Sequence, residues 1–409
     1  MTEILRCEVA IVGGGMTGLA LAAALGVDGV DTVVVDRMPA DLPPSSNADP
    51  RVTAVALGSV RFLESIGAFA AMRATAAPIL DIRVAEAHSP FAVHYDHRDV
   101  GDEPLGYIVE NANIRDSLIA RCRELPAVRL LMPQAYVDVA RDPRGATVSL
   151  ADGRQLRAKL LVAADGKFSR LRERFGIRTR SWAYGQTGIV ATLGHELPHD
   201  GLAYETFFPD GPFAVLPMRG DRSSIVWALE DELAGAVLAL PAEAFEAEVQ
   251  DRIGDRLGRL SLASPVKSFP MVLKWAERFT VERAALVGDA ARGIHPIAGQ
   301  GWNLALRDAA ALAEIVAGAH RLGLDVGSAK ALARYERWRR FDALALVAIT
   351  DGINRLFAND VTALRLARNL GFALVDQVPP LKQLFMRHAM GVMGDLPRRM
   401  RPAEARMRA

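Results

Sequence analysis

The sequence predicts an α/β chain: a three-layer Rossmann-like domain, an inserted α+β sheet domain and a helical C-terminal extension. Three observations carry this. An apolar run ending in glycines, CEVAIVGGG from Cys7, passes into a helix-forming run of small residues and then a second apolar run, DTVVVDR. Strand, helix and strand in that order make a β-α-β unit. From about Gly185 to Phe269 the texture changes to short apolar stretches separated by turns, the mark of a second domain. RAALVGDAA, from Arg283, returns to strand-then-loop texture, and helical periodicity dominates from there to the end. The division that follows assigns 1–78, 100–182 and 278–345 to a discontinuous first domain, 79–99 and 183–277 to the sheet domain, and 346–409 to the helical region.

Taken in order, the β-α-β unit is followed by PADLPPSSNADP, a loop by its proline, serine and asparagine content. Val52 to Met72 reads mostly as helix. Residues 79–110 mix short strands with loops. NIRDSLIARCREL is helical, with Asn113 as its expected N-cap. The stretch from Val128 to Asp165 gives several strands, separated by turns at DPRG and ADG. In the second domain, QTGIVATL, AYETFFP, FAVLPM and SSIVWAL are strands, and PAEAFEAEVQDRIGDRLGRL is an amphipathic helix.

Composition removes several function classes. Apolar residues make up 50% of 409, enough for two cores. A net charge of +1 leaves no basic footprint for nucleic acid. Two cysteines, Cys7 and Cys122, make neither a disulfide framework nor a metal cluster, and fit a reduced cytoplasmic protein. No H-E-x-x-H or close Cys/His group is present, so no metal is expected. The apolar start lacks the basic region and cleavage site of a signal peptide. No apolar run is long enough to span a bilayer.

The chemistry lies in three separated pieces. Gly13-Gly14-Gly15-Met16-Thr17-Gly18 is a G-x-G-x-x-G between strand and helix. Gly13 permits the tight turn, Gly15 lets a pyrophosphate approach the backbone, and Gly18 allows close helix–sheet packing. Asp36, ending the next strand, is placed to accept from an adenosine ribose, and it disfavours a 2′-phosphate there. The second piece ends a strand at Asp165-Gly166, where the acid holds either a flavin or a nicotinamide, or simply makes a turn. In the third, Gly288-Asp289 puts an acid at a strand end, and Gly299, Gly301, Trp302 and Asn303 lead into a helix. Asp289 can accept from a polyol hydroxyl, and the helix N-terminus can face an electron-rich ring edge.

The run from His295 to Leu304, HPIAGQGWNL, resembles the H-P-[I/V]-A-G-Q-G-x-N-L of the ubiquinone-biosynthesis hydroxylases. These are class A flavoprotein monooxygenases of the para-hydroxybenzoate hydroxylase fold. PRVTAVALGSVRFLESIG, LGYIVEN, YETFFPDGPFAVLPM and NRLFANDVTALRLARNLGFALVDQVPPLK extend the resemblance over nearly the whole chain. It implies FAD as the cofactor, with NAD(P)H as reductant and O2 as oxidant, and hydroxylation of a phenol through a flavin C4a-hydroperoxide. Residue by residue, it places Gly13, Gly15, Gly18 and Asp36 on the adenosine half and Arg51 near the cofactor. Asp165 and Gly166 fall against both cofactor and NAD(P)H, and Asp289 on the ribityl chain. Pro296 and Gly299 to Asn303 fall beside the flavin ring. Arg292 stands where the family commonly has histidine, Trp302 where phenylalanine or leucine is usual, and Arg115 where glutamine is frequent. Arg115 reaches either the cofactor phosphates or solvent. His295 either tunes the flavin and donates to substrate, or bonds loop backbone.

The substrate face is expected on the sheet domain, from Tyr204, Phe207, Leu216 and Pro217. An apolar wall suits a polyprenylated phenol, whose tail gains roughly 0.8 kcal/mol per buried CH₂. The apolar, arginine-containing C-terminal helices either pack within the protein or meet a membrane surface or a biosynthetic partner. The expected location is the cytoplasm, with peripheral attachment to the inner face of its membrane; the oligomeric state stays open. The alternatives are a hydroxylase of a small soluble phenol or polyketide, a flavin-dependent prenyl reductase, and a non-enzymatic FAD-binding scaffold.

Overall fold

The computed structural model describes residues 3–41, 49–87, 89–293, 300–342 and 375–407. The first sheet is built on β1 (Ile4–Val12), β2 (Thr32–Val35), β8 (Val128–Leu131), β11 (Gln155–Ala163) and β19 (Ala284–Leu286), all parallel. Its order is β18-β19-β11-β1-β2-β8, with β18 at Thr280–Val281. A meander of β9 (Tyr136–Asp142) and β10 (Gly145–Leu150) attaches to β11. These strands are runs of valine, leucine and alanine because both faces are covered. On one side lies α1 (Met16–Val27), whose residues from Gly18 to Gly26 are all buried. It packs against α4 (Asn111–Glu124) and α8 (Gln300–Arg321). Leucines and alanines of α1 and α8 join the strand valines in one continuous core.

A small sheet of β3 (Val52–Ala56), β7 (Gly106–Glu110) and β4 (Ala77–Ile79) follows, in the order β3-β7-β4. This corrects the helix expected from Val52. The β-branched Val52, Thr53 and Val55 pair with β7, and the helix α2 begins only at Leu57. Apolar spacing alone cannot separate a short strand from the helix that continues it. The N-cap of α4 also moves: it is Glu110, and Asn113 lies inside the first turn, donating to Glu110 Oε2 at 2.9 Å.

The nine-stranded sheet runs β20-β17-β12-β15-β14-β13-β5-β6, with β16 on β12. Its long members are β12 (Thr179–His195), β13 (Leu202–Phe208), β14 (Gly211–Met218), β15 (Arg222–Glu230) and β17 (Lys267–Ala276). β5 (Asp81–Glu86) and β6 (Ala92–Asp96) come from the earlier segment, and β5 lies parallel to β13. β16 is Leu260–Leu262. The edge strand β20, Arg292–Gly293, comes from beyond the expected boundary at 277 and ties this sheet to the segment carrying Asp289.

Period-2 alternation gives the sheet two different faces. The outer face carries Ile189, Leu193, Phe213, Val215, Ile225 and Trp227, packed on Ala234 of α6 (Asp231–Leu238) and on Phe245 and Val249 of α7 (Ala242–Ile253). The inner face turns Ala203, Leu216 and Met218 toward Leu57, Ile108, Met386 and Met390. The two methionines belong to the tail, in and just after α10 (Pro379–Ala389); α9 covers residues 329–342. The described end of the tail is thus pinned to the body. Arg399 meets Asp28 at 2.8 Å and Arg398 donates its backbone N–H to Glu314 at 2.7 Å, so these two basic residues are engaged by the protein.

Candidate functional site

At the first cofactor segment, β1 ends in a turn that only glycine can make. Gly13 has φ +117°, and a Cβ there would lie 2.2 Å from the Ala164 carbonyl oxygen. A Cβ on Gly18 would lie 1.9 Å from the Gly13 oxygen, so helix and turn touch through bare backbone. Gly15, the N-cap of α1, faces open space, with nothing within 4 Å of a Cβ built on it. No side chain caps this helix and no acid occupies its first turn, so its leading N–H groups keep their capacity for an anion. Asp36 closes the turn from the next strand. Gly14 N–H donates to it at 2.6 Å and Met38 N–H at 2.7 Å, one to each oxygen. Each oxygen retains a lone pair for a further donor.

The second segment is braced rather than open. The Ser169 hydroxyl donates to Asp165 Oδ1 at 2.5 Å and Leu171 N–H donates to Oδ2 at 3.2 Å. The carboxylate therefore holds the start of α5 (Arg170–Arg174), while Gly166, at φ +83°, turns the chain with free space beside it. Burial raises the Asp165 pKa, and its hydrogen bonds oppose the rise. From α5 the buried Arg172 donates to the Ala290 carbonyl at 3.0 Å and to that of Lys167 at 3.3 Å. One guanidinium thus fastens the second segment to the third.

In the third segment Gly288, at φ +59°, turns β19 into the loop carrying Asp289. Among the described residues the Asp289 carboxylate accepts no hydrogen bond. The residue is exposed to solvent, and the protein around its carboxyl, stripping part of its hydration, pushes its pKa up. Lys167 and Arg292 attract the charged form, too weakly to cancel that. Beneath it lies Asp308 of α8, fully buried. Asp308 accepts from Gly288 N–H at 3.1 Å, from Arg292 Nη2 at 2.6 Å and from Arg339 Nε at 2.8 Å. Arg339 passes on to Asp342 at 2.7 Å, which Arg307 also binds at 3.0 Å. The loop that presents Asp289, unpaired among the described residues, is therefore held by another acid that has several partners.

On the sheet side, alternation divides the expected substrate residues. Phe207 and Leu216 lie on the inner face. Tyr204 packs into the outer cluster under Arg256, 5.0 Å from its ring centroid, and Pro217 shares that register. Their assignment to the substrate face is corrected accordingly: a residue next to an inward side chain in a strand points outward. Glu205 sits between Ala203 and Phe207 on the inner face.

Residues 6–349 match the FAD-binding domain family. The chain belongs to that family. It is 47% identical over 386 residues to the ubiquinone hydroxylase UbiL of Rhodospirillum rubrum, covering 94% of this chain and 90% of that one. It is 31% identical over 387 residues to the 3-demethoxyubiquinol 3-hydroxylase of Escherichia coli, covering 94% and 98%. Among solved structures, p-nitrophenol 4-monooxygenase PnpA of Pseudomonas putida superposes with a TM-score of 0.81 at 20% identity, over 96% of this chain and all of that one. The fold is the FAD-binding, Rossmann-like type of para-hydroxybenzoate hydroxylase, with its inserted domain and helical extension.

The residues present fit FAD. Bare backbone at Gly15 and the uncapped start of α1 suit the pyrophosphate, and the spare lone pairs of Asp36 suit the adenosine ribose. Asp289, without a donor among the described residues, suits the hydroxyls of the ribityl chain. Gly301 at the start of α8 is as open as Gly15. Trp302 packs partly against the core, its indole N–H without a partner among the described residues.

Other expected cofactor residues are held by bonds within the protein. Asn303 ties α8 to β3, accepting from Ala56 N–H at 2.9 Å and donating to Ala54 O at 2.8 Å. Arg115 donates to the Ala40 and Pro39 carbonyls at 3.0 and 2.6 Å, fixing the loop beyond Asp36. Arg51 grips Asp49 through two nitrogens, with its side chain 55% exposed. His295, Pro296 and Gly299 lie outside the described residues. Sequence patterns do not reveal Asp308, Arg339 or Arg172, or Glu205, which has no partner among the described residues. The one available signal was Asp308 itself, a single acid in the alanine-rich face of α8.

Proposed function

We propose that this FAD-binding protein is a monooxygenase that hydroxylates the ring of a polyprenylated phenol in ubiquinone biosynthesis, using NAD(P)H and O2. The observation that carries the reading is the reach of the likeness. Identity of 47% to a ubiquinone hydroxylase extends over 94% of the chain, so it includes the sheet domain as well as the cofactor segments. The sheet's inner face supports it, being apolar at Phe207, Leu216 and Ala203 and turned toward the small sheet that Asn303 joins to α8.

Bound flavin supplies the redox chemistry, accepting electrons from NAD(P)H and activating O2. The chain's share is to hold it and to present the ring. The turn at Gly13 and Asp36 fixes the adenosine end, and Asp289 fixes the ribityl chain. The inner face excludes water and positions the phenol. A lipid-tailed substrate also fits work at the cytoplasmic face of a membrane or beside biosynthetic partners. Among the described residues no helix is long and apolar enough to cross a membrane. Turnover of a prenylated phenol under ¹⁸O₂ tests the reading. One labelled oxygen in the ring product is expected; label from water, or reduction of the substrate, would refute it. Deleting the gene and identifying the accumulated quinone precursor by mass spectrometry tests the pathway.

A further inference from the structure

The inner face of the nine-stranded sheet is apolar where it crosses β13, apart from one acid. Directly opposite Glu205 stand Val84 on β5 and Ala214 on β14, and in the same row beyond them Val93 and Val226. A carboxylate set among such neighbours loses hydration and gains nothing unless a partner is supplied. Other acids of this sheet region have one: Asp81 meets His94 at 2.8 Å, and Asp210 grips Arg252. Glu205 makes no hydrogen bond or ion pair among the described residues. Its side chain is half-buried, so solvent reaches it within a surround that is otherwise protein. Asp289 on the cofactor side, exposed where Glu205 is half-buried, likewise has no partner among the described residues.

Its direction matters as much as its isolation. Ala203 and Leu216 on the same face pack toward the β3-β7-β4 sheet and α10. Toward the far edge of that sheet, β17 pairs at Lys274–Gly293 with the edge strand β20, in the segment leading from Asp289. Glu205 is therefore on the face turned toward the β3-β7-β4 sheet, which Asn303 ties to α8 of the third cofactor segment.

We propose that Glu205 is the polar contact for the substrate's ring hydroxyl, its carboxylate accepting the phenol O–H and drawing off that proton as the ring is oxygenated. This rests on the phenol-hydroxylase reading above. In the step, the O–H bond breaks heterolytically. The proton goes to a Glu205 oxygen, giving the carboxylic acid. The electron pair stays on the phenol oxygen and is shared with the ortho and para ring carbons, which become better nucleophiles. No electrons are gained or lost here; those of the hydroxylation come from NAD(P)H and the oxygen atom from O2.

The surroundings suit that task. Burial alone pushes the Glu205 pKa up to about 7. That narrows the gap to a phenol's ordinary value of about 10, and a base closer to its acid takes the proton more readily. The ionisable groups nearest in register or across the gap are Glu86 on β5, Tyr95 on β6, Lys267 on β17, Glu110 on β7 beside Arg222, and His388 on α10.

The test uses the full FAD-loaded protein with Glu205→Gln and Glu205→Leu, and as probes a phenol with a short prenyl tail and its methyl ether. Flavin content and circular dichroism check folding. Binding, followed by perturbation of the flavin absorbance, should favour the phenol over the ether at least tenfold in the unmodified protein, and Glu205→Leu should abolish that preference. In turnover, kcat/KM should rise with pH through a limb near 7, and Glu205→Gln should lose the limb and lower kcat more than it raises KM. A preference and a limb that survive in both variants would overturn the proposal, as would the absence of any preference in the unmodified protein. Failure of the functional reading looks different: no oxygenated product forms, while the binding preference and its loss in Glu205→Leu remain.

Discussion

Asp308 and Asp289 are neighbours across one loop, and the fold treats them oppositely. Asp308 is wholly buried and accepts from a backbone N–H and two guanidinium groups. Asp289, one residue along from the Gly288 that donates to Asp308, is reachable by solvent and has no donor among the described residues. Glu205, on the inner face of the nine-stranded sheet, resembles Asp289 in having no partner among the described residues. A buried charge with all its partners is scaffold, since the partners exist to hold it. A carboxylate that protein surrounds and leaves unpaired costs stability, and proteins keep such groups where a ligand completes them.

The comparison breaks most visibly at Asp308. Replacing it with leucine leaves Arg292 and Arg339 buried without their shared acceptor, a loss of about 3–5 kcal/mol. Urea unfolding of the FAD-free protein should show a lower midpoint, and an unchanged midpoint would mean the network holds nothing. Asp289→Asn should act on the ligand instead. Hydrogen bonds to a charged group contribute about 1.5–3 kcal/mol each, so titration of the apoprotein with FAD should show a dissociation constant raised about ten- to hundredfold.

Acidity sharpens the comparison further. Glu205 has a folded pKa of about 7 against an ordinary 4.5, so the fold prefers its protonated form. Its favourable contribution is full below about 4.5 and is lost as pH rises through about 7. Glu205→Gln removes that loss. The variant's stability relative to the unmodified apoprotein should therefore grow between pH 5 and pH 8 in urea unfolding; a margin that shrinks with rising pH would show that Glu205 is paired after all. The smallest effect belongs to Arg115. Replacing it with methionine frees the Pro39 and Ala40 carbonyls, worth about 1 kcal/mol, and should weaken FAD only a few-fold with the unfolding midpoint nearly unchanged.

What the sequence shows of this site follows from what is local. Gly13, Gly18 and Asp36 are readable because a turn between strand and helix imposes its residues at fixed spacing. The nine-stranded sheet is readable as a change of texture, although the strand at Val52 hides in front of a helix with the same apolar content. Partnership is not local. Asp308 meets Arg339 across 31 residues and Gly288 across 20, and nothing in either segment announces the other. For the same reason the bonds that Asp165, Asn303 and Arg115 make within the protein are not visible in the sequence. Tyr204 and Phe207 look alike until strand alternation puts them on opposite faces.

The central claim, that the unpaired acid serves the cofactor and the paired acid serves the fold, is tested most directly by thermal midpoints of the unmodified protein and Asp289→Asn, each with and without FAD. FAD stabilises whichever form binds it, by mass action. The account predicts that Asp289→Asn without FAD unfolds at or above the midpoint of the unmodified apoprotein, because an unpaired carboxylate with a raised pKa has been removed. It predicts that the rise produced by a fixed FAD concentration shrinks. A variant whose apoprotein midpoint falls while its FAD-induced rise stays whole would place Asp289 in the scaffold, and the distinction drawn between the two acids would be wrong.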